Sequence, residues 1–276
     1  MNGIEAKLER LSANIGALPS ALVCYSGGVD SAFVLAVATR QLGERAIGMT
    51  AVSPSLPPGE LDYAQALAKE IGAVHRIVTS QEMDDPRYVA NNSDRCFYCK
   101  SELYEIAEAK RKEWSLAVTL NGTNCDDLGD YRPGLVAAEN AAVKSPLVDC
   151  GFSKADVRAA AQVIGLGAWD KPALACLSSR IPYGTSVTAE RLAQIGGFEA
   201  ELKKLGFRQV RVRYHDKLAR VELALEEIAR AVDPAIRNEI VAAGKRNGFH
   251  YVTLDLGGYR TGSHNEVIVG KSLRIV

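Results

Sequence analysis

Short apolar runs alternate with segments of helical period through the first 175 or so residues, and this alternation constrains the fold more than any other feature of the chain. Residues 21–25, 46–52, 74–78 and 116–120 read as buried strands. Residues 31–42, 58–72, 97–112, 134–143 and 153–164 read as helices. The helix over 58–72 begins near a proline and ends at a glycine, as terminal preferences favour. Strands separated by helices mean βαβ units and a parallel sheet with helices on both faces. The pattern changes after Tyr183-Gly184. A helix is expected over 188–205, with Thr188 as its N-cap. A β-hairpin follows from the strict alternation at 210–214 and 218–223. Helical segments at 224–232 and 234–247 and a strand at 250–254 complete a smaller α+β domain. The expected division is 1–185 and 186–276.

Composition narrows the function classes. Hydrophobic residues make up 47% of the 276, enough to fill a core and too many for a disordered chain. Lys plus Arg is 33 and Asp plus Glu is 33, a balance that argues against a polybasic nucleic-acid binder. No apolar run approaches the ~18–20 residues that cross a bilayer. Residues 1–20 read as a charged amphipathic helix without the apolar centre of a signal peptide. A cytoplasmic protein is therefore expected, with Cys24, Cys96, Cys99, Cys125, Cys150 and Cys176 as thiols or metal ligands rather than disulfides.

Ser26-Gly27-Gly28-Val29-Asp30-Ser31 follows the first strand and opens the next helix. Free N–H groups at a helix start attract phosphate, and glycines let backbone approach phosphate oxygens. Ser26 and Ser31 add hydroxyls. Asp30 would repel phosphate, so its expected task is to hold Mg2+ beside it. A capped tight turn is the competing explanation, and the strand and helix on either side favour the phosphate site. Gly270-Lys271-Ser272 ends like a Walker loop but has Asn265 where its first glycine belongs. Gly165-Leu166-Gly167 lacks the third glycine of a dinucleotide fingerprint.

Arg95-Cys96-Phe97-Tyr98-Cys99-Lys100 puts two thiols one helical turn apart, and Ala175-Cys176-Leu177-Ser178-Ser179-Arg180 carries a third. Three thiols suit an iron–sulfur cluster with one open iron, and small buried cysteines are the equal alternative. Cys24 and Cys150 read as buried, and Cys125 leans structural.

These motifs carry a resemblance. Ser26 to Ser31 resembles the S-G-G-x-D-S pyrophosphate loop of the ATP-pyrophosphatase superfamily, whose members cleave ATP between the α and β phosphates and adenylate a substrate. Over nearly its full length the chain is similar to the LarE family of ATP-dependent sulfur transferases, which make the nickel-pincer nucleotide cofactor of lactate racemase. The similarity includes Gly122-Thr123-Asn124 with Asp127, Asp130-Tyr131-Arg132-Pro133-Gly134 and Cys176 to Thr185. It continues through Arg211-Val212-Arg213-Tyr214-His215 and residues 251–260.

The resemblance implies a Rossmann-like ATP-pyrophosphatase α/β domain and ATP with Mg2+ as cofactors. Ser26, Gly27, Gly28, Val29, Asp30, Ser31, Gly122 and Asp127 would bind the nucleotide. Asp30, Lys100 and Cys176 would serve catalysis. The implied substrate is pyridinium-3,5-biscarboxylic acid mononucleotide, whose carboxylates become thiocarboxylates, with Arg132, Arg180, Arg211 and Arg213 as candidate contacts. Some family members sacrifice the sulfur of one cysteine matching Cys176; others bind a [4Fe–4S] cluster through three matching Cys96, Cys99 and Cys176. This chain has all three, which implies the cluster type, fed by sulfide or another sulfur donor. A homo-oligomer, a hexamer in the family, is implied too. Glu222 and Glu226 read as surface charge. The alternatives are a tRNA thiolation enzyme, an amide-forming ligase of the NAD synthetase kind, and a nucleotide-sensing module.

Overall fold

The computed structural model describes residues 3–129, 133–172 and 175–260. In chain order the first elements are α1 (Gly3–Gly16), β1 (Ala21–Cys24), α2 (Val29–Leu42), β2 (Ala46–Val52), α3 (Glu60–Ile71) and β3 (Val74–Thr79). Next come α4 (Pro86–Val89), α5 (Arg95–Glu113), β4 (Val118–Leu120), α6 (Pro133–Asn140), α7 (Pro146–Asp149) and α8 (Lys154–Val163). The last are α9 (Ala189–Lys204), β5 (Val210–His215), β6 (Leu218–Leu223), α10 (Ile228–Ala231), α11 (Pro234–Arg246) and β7 (Tyr251–Leu254). Contacts group them into two compact units. The first comprises the chain up to 53, residues 59–85 and residues 96–174; the second comprises 54–58, 86–95 and the chain from 175 onward.

The first unit is the expected α/β layer structure. Its sheet runs β3-β2-β1-β4, all parallel, with β1 between β2 and β4. Helix α2 is apolar on nearly every side, because Phe33, Val34, Leu35 and Val37 are all buried. It packs against β1 and β2 and is covered by α1, α3 and α8. Phe33 meets Phe152 with ring centroids 5.7 Å apart; truncating such a buried ring costs about 3–5 kcal/mol. Helix α8 starts with a capping box: the Ser153 hydroxyl accepts the Asp156 N–H, and the Asp156 carboxylate accepts the Ser153 N–H. Lys7 of α1 reaches the same carboxylate at 2.6 Å. The border strand β3 leaves Val74 and Ile77 exposed.

The second unit has a mixed sheet, β5-β6-β7, with β5 antiparallel and β7 parallel to β6. Thr188 caps α9 by accepting the Arg191 N–H, and the helix buries Leu192, Ile195, Phe198 and Leu202. Phe198 and Tyr214 both pack on Phe249. Val210 and Val212 point into this core, as the alternation predicts.

The short helices α4 and α7 were not expected, because four residues are too few to display a period. Within 224–232 only a 3-10 turn and the four-residue α10 form. Gly270-Lys271-Ser272 lies outside the described residues.

Candidate active site

The strand order places a topological switch between β1 and β4, where ligands of open α/β sheets bind beyond the strand ends. The Ser26–Ser31 loop leaves β1 at this switch. Gly27 has φ +74°, and a Cβ there would stand 3.0 Å from the Ala64 Cβ; both facts call for glycine. Gly28 is the N-cap of α2 in extended conformation and supplies no side-chain cap. The first N–H groups of α2 are thereby left to a ligand, the usual anion-site arrangement. The Ser26 and Ser31 hydroxyls lie 3.1 Å apart, and Ser31 Oγ also accepts the Ser26 N–H.

The strand β4 closes the other side. A Cβ on Gly122 would lie 2.6 Å from the Ser31 nitrogen, so the β4 loop presses directly on the backbone of the phosphate loop. Beyond it a run of side-chain turns fixes the chain. Asn124 Oδ1 accepts the Asp126 N–H at 3.0 Å, and Asp127 Oδ2 accepts the Asn124 N–H at 3.1 Å. Asn124 Nδ2 donates to Asp30 Oδ1 at 3.3 Å. The other Asp30 oxygen is ion-paired with Lys154. A partly exposed carboxylate beside a phosphate loop fits Mg2+, which is bound by one or two carboxylates together with substrate phosphates. Sequence reasoning did not single out Lys154. Its signal was a lysine at the positive end of a helix, against the dipole.

Lys171 was also missed. Its ammonium pairs with Glu60 at 2.8 Å, donates to the Gly27 carbonyl at 3.3 Å and lies 3.4 Å from the Tyr63 ring centroid. It braces the loop from behind.

Cys96 is exposed and Cys99 half-buried, one turn apart at the start of α5. Burial acts to lower the Lys100 ammonium, and Tyr104, Cys99, Cys24 and Cys96 around it outweigh that and raise it. Lys100 therefore stands among thiols. Cys24 is half-buried rather than fully buried as its strand position suggested, and burial pushes its thiol up to about 12, which favours the protonated form. Among the described residues no three His, Cys, Asp or Glu side chains gather closely enough to hold a metal ion. Cys96 and Cys99 belong to the first unit and Cys176 to the second.

Cys176 precedes a 3-10 turn over Leu177–Arg180. Arg180 Nη1 donates to the carbonyls of Ala175 and Cys176, each at 2.9 Å. The rest of its guanidinium makes a bidentate pair with Glu199, and both residues are buried. Breaking such a buried pair costs about 3–5 kcal/mol. Asn91, with φ 55°, donates to the carbonyls of Ile181, Pro182 and Thr185 and braces the following turn.

Arg213 pairs bidentately with Glu222 and donates to the Ser179 carbonyl. Glu222 is 1% exposed, which corrects the expectation of a surface charge; its partners Arg213 and Arg220 make burial tolerable. Glu226 is exposed as expected. Arg211 lies 5.2 Å from the Tyr259 ring; burial and the nearby Arg180 lower its pKa. Arg180, Arg211, Arg213 and Arg220 thus gather around Glu199, Glu222 and Asp255, a cluster of guanidinium groups whose planar forks suit an oxyanion. Arg132 lies outside the described residues.

Residues 19–103 match the Asparagine synthase family, a stretch that contains the phosphate loop. The chain is 38% identical over 275 residues to the pyridinium-3,5-bisthiocarboxylic acid mononucleotide synthase of Lactiplantibacillus plantarum, covering 99% of each chain. That match runs through both units. The chain belongs to the LarE family. An uncharacterized protein of Synechocystis is 47% identical, over 96% of this chain and 99% of its own. An uncharacterized protein of Methanocaldococcus jannaschii is 26% identical, over 87% and 90%. LarE membership gives the loop at β1 an ATP-utilising domain and favours neither the tRNA thiolase nor the amide ligase. No helix of the described residues is long and apolar enough to cross a membrane.

Proposed function

We propose that the protein is an ATP-dependent sulfur transferase acting on pyridinium-3,5-biscarboxylic acid mononucleotide. The observation that carries this reading is the full-length match to a synthase named for the bisthiocarboxylic product. The phosphate loop alone is shared by enzymes of several kinds.

A carboxylate resists nucleophiles because its oxygen leaves poorly. Its oxygen attacks the α phosphorus of ATP, the bond to the β phosphate breaks, and pyrophosphate departs. The acyl-adenylate then accepts a sulfide sulfur at carbon, and AMP leaves with the former carboxylate oxygen. Two rounds convert both carboxylates. The α2 amides, Ser26 and Ser31 hold the phosphates, and Gly122 and Asp127 shape the far wall. Asp30 would hold Mg2+, which would supply positive charge to offset that of the departing pyrophosphate. Arg211, within the arginine-rich cluster, holds the substrate phosphate, with Arg213 and Arg180 keeping that cluster and the Cys176 turn in place. Lys100 holds its proton beside the thiols.

Cys96, Cys99 and Cys176 are proposed as the sulfur-handling set, the ligands of a [4Fe–4S] cluster that would supply a place for inorganic sulfide. The all-thiol donor chemistry supports this. Among the described residues no three metal ligands gather in one place. Anaerobic iron and sulfide analysis tests it: wild type should retain both and Cys96→Ala should lose them. Loss of one sulfur from the polypeptide at Cys176 during turnover would overturn it.

The activity is tested with ATP, Mg2+, sulfide and the dicarboxylate mononucleotide, with pyrophosphate assayed and the product read by mass spectrometry. Pyrophosphate release should require the dicarboxylate and fall at least ~100-fold in Asp30→Ala, the loss expected when transition-state charge stabilisation is removed. Release that ignores the dicarboxylate would refute the assignment.

A further inference from the structure

Lys154 is the first residue of α8, where the helix dipole presents its positive end and lysine is disfavoured. Carboxylates compensate. Its N–H donates to Asp126 Oδ2 at 2.9 Å, and its ammonium pairs with Asp30, the residue expected to hold Mg2+. Asn124 fixes the other Asp30 oxygen and cannot turn away, because it is 2% exposed and its own oxygen is held by the Asp126 N–H.

The two lysines beside the loop differ in kind. Lys171 is 14% exposed and caught between Glu60, the Gly27 carbonyl and the Tyr63 ring. Lys154 is 34% exposed, on a four-carbon stem, and its Asp30 partner is 22% exposed. An ion pair so open to water is weak and exchanges readily. A divalent ion and an ammonium cannot both claim the same carboxylate oxygen at full strength. An ammonium released at the mouth of a phosphate loop gains the triphosphate as a new anionic partner, beside the Asp126 carboxylate that already accepts the Lys154 backbone N–H.

We propose that Lys154 is an exchangeable counter-ion of the nucleotide site. It neutralises Asp30 while no divalent ion is bound, and it passes to the phosphates of a nucleoside triphosphate when Mg2+ takes Asp30. This makes the site read metal and nucleotide together: Mg2+ alone must displace an ammonium, and Mg2+ with triphosphate gives that ammonium somewhere to go. The inference rests on the ATP-site reading above.

Calorimetric titrations of wild type, Lys154→Met, Lys154→Gln and Lys154→Arg test it with three probes: Mg2+ alone, ATP in EDTA, and Mg2+ with ATP. Lys154→Met and Lys154→Gln should bind Mg2+ alone about fivefold more tightly, roughly the most an exposed ion pair contributes, and should bind ATP in EDTA correspondingly more weakly. Lys154→Arg should restore the EDTA titration toward wild type. A purely structural lysine would not make metal binding tighter when removed. Mg2+ affinity unchanged or weakened in both neutral variants would overturn the proposal. Wild type that binds no ATP under any condition would instead sink the ATP-site reading itself.

Discussion

Gly122 carries more consequence than its size suggests. It stands where the β4 loop touches the Asp30–Ser31 backbone, and backbone cannot swing aside as a side chain can. Gly122→Ala should therefore cost about 1–3 kcal/mol of stability, the usual penalty of overpacking, and should weaken ATP binding as well. Urea unfolding and an ATP titration check both; an alanine accepted without effect on either would mean the contact yields. At this scale the sequence was unevenly informative. The Ser26–Ser31 loop was legible because its chemistry is written in consecutive residues. The Arg180–Glu199 and Arg213–Glu222 pairs were not, because the partners lie far apart in the chain and only the fold brings them together. Glu222 looked like surface charge for the same reason: a glutamate in an alternating strand gives no local sign of the two arginines waiting for it.

At the scale of elements, α1 and α8 are tied through one carboxylate. Lys7, with the Ser153 hydroxyl and N–H, holds the Asp156 carboxyl down at about 2 from an ordinary 3.8. A carboxyl depressed on folding contributes stability above its unfolded value and loses it as the pH falls through the folded one. Asp156→Ala should thus cost about 1 kcal/mol at neutral pH, the usual worth of a capping interaction. The gap from wild type should close between pH about 4 and about 2. Denaturant melts across that range measure it, and a gap constant with pH would discount the carboxylate. The capping box itself was not foreseen, though a serine three residues before an aspartate is its ordinary signature. The long helices and the β5–β6 hairpin were legible from period alone. The four-residue helices were not, since one turn has no repeat to read.

For the whole molecule, the phosphate loop and the arginine cluster fall in separate units. Their roles should separate in the same way. Arg211→Ala should leave ATP binding near wild type and cut dicarboxylate-dependent pyrophosphate release by at least ~10-fold, the worth of one charged hydrogen bond. Asp30→Ala should impair release while leaving binding of the dicarboxylate mononucleotide intact. Equal loss of both ligands in either variant would contradict the division. The layered α/β unit was legible from the alternation of strands and helices. That residues 54–58 and 86–95 group with the later part of the chain was not, because no local pattern encodes such a return.

The border strand β3 has a consequence of its own. A parallel sheet edge with Val74 and Ile77 turned outward offers a ready template on which another extended chain could add. Between them sits Arg76, its guanidinium 4.5 Å from the Trp114 ring. A charge pinned to an indole cannot easily fold away, so it guards the margin against stray strand addition.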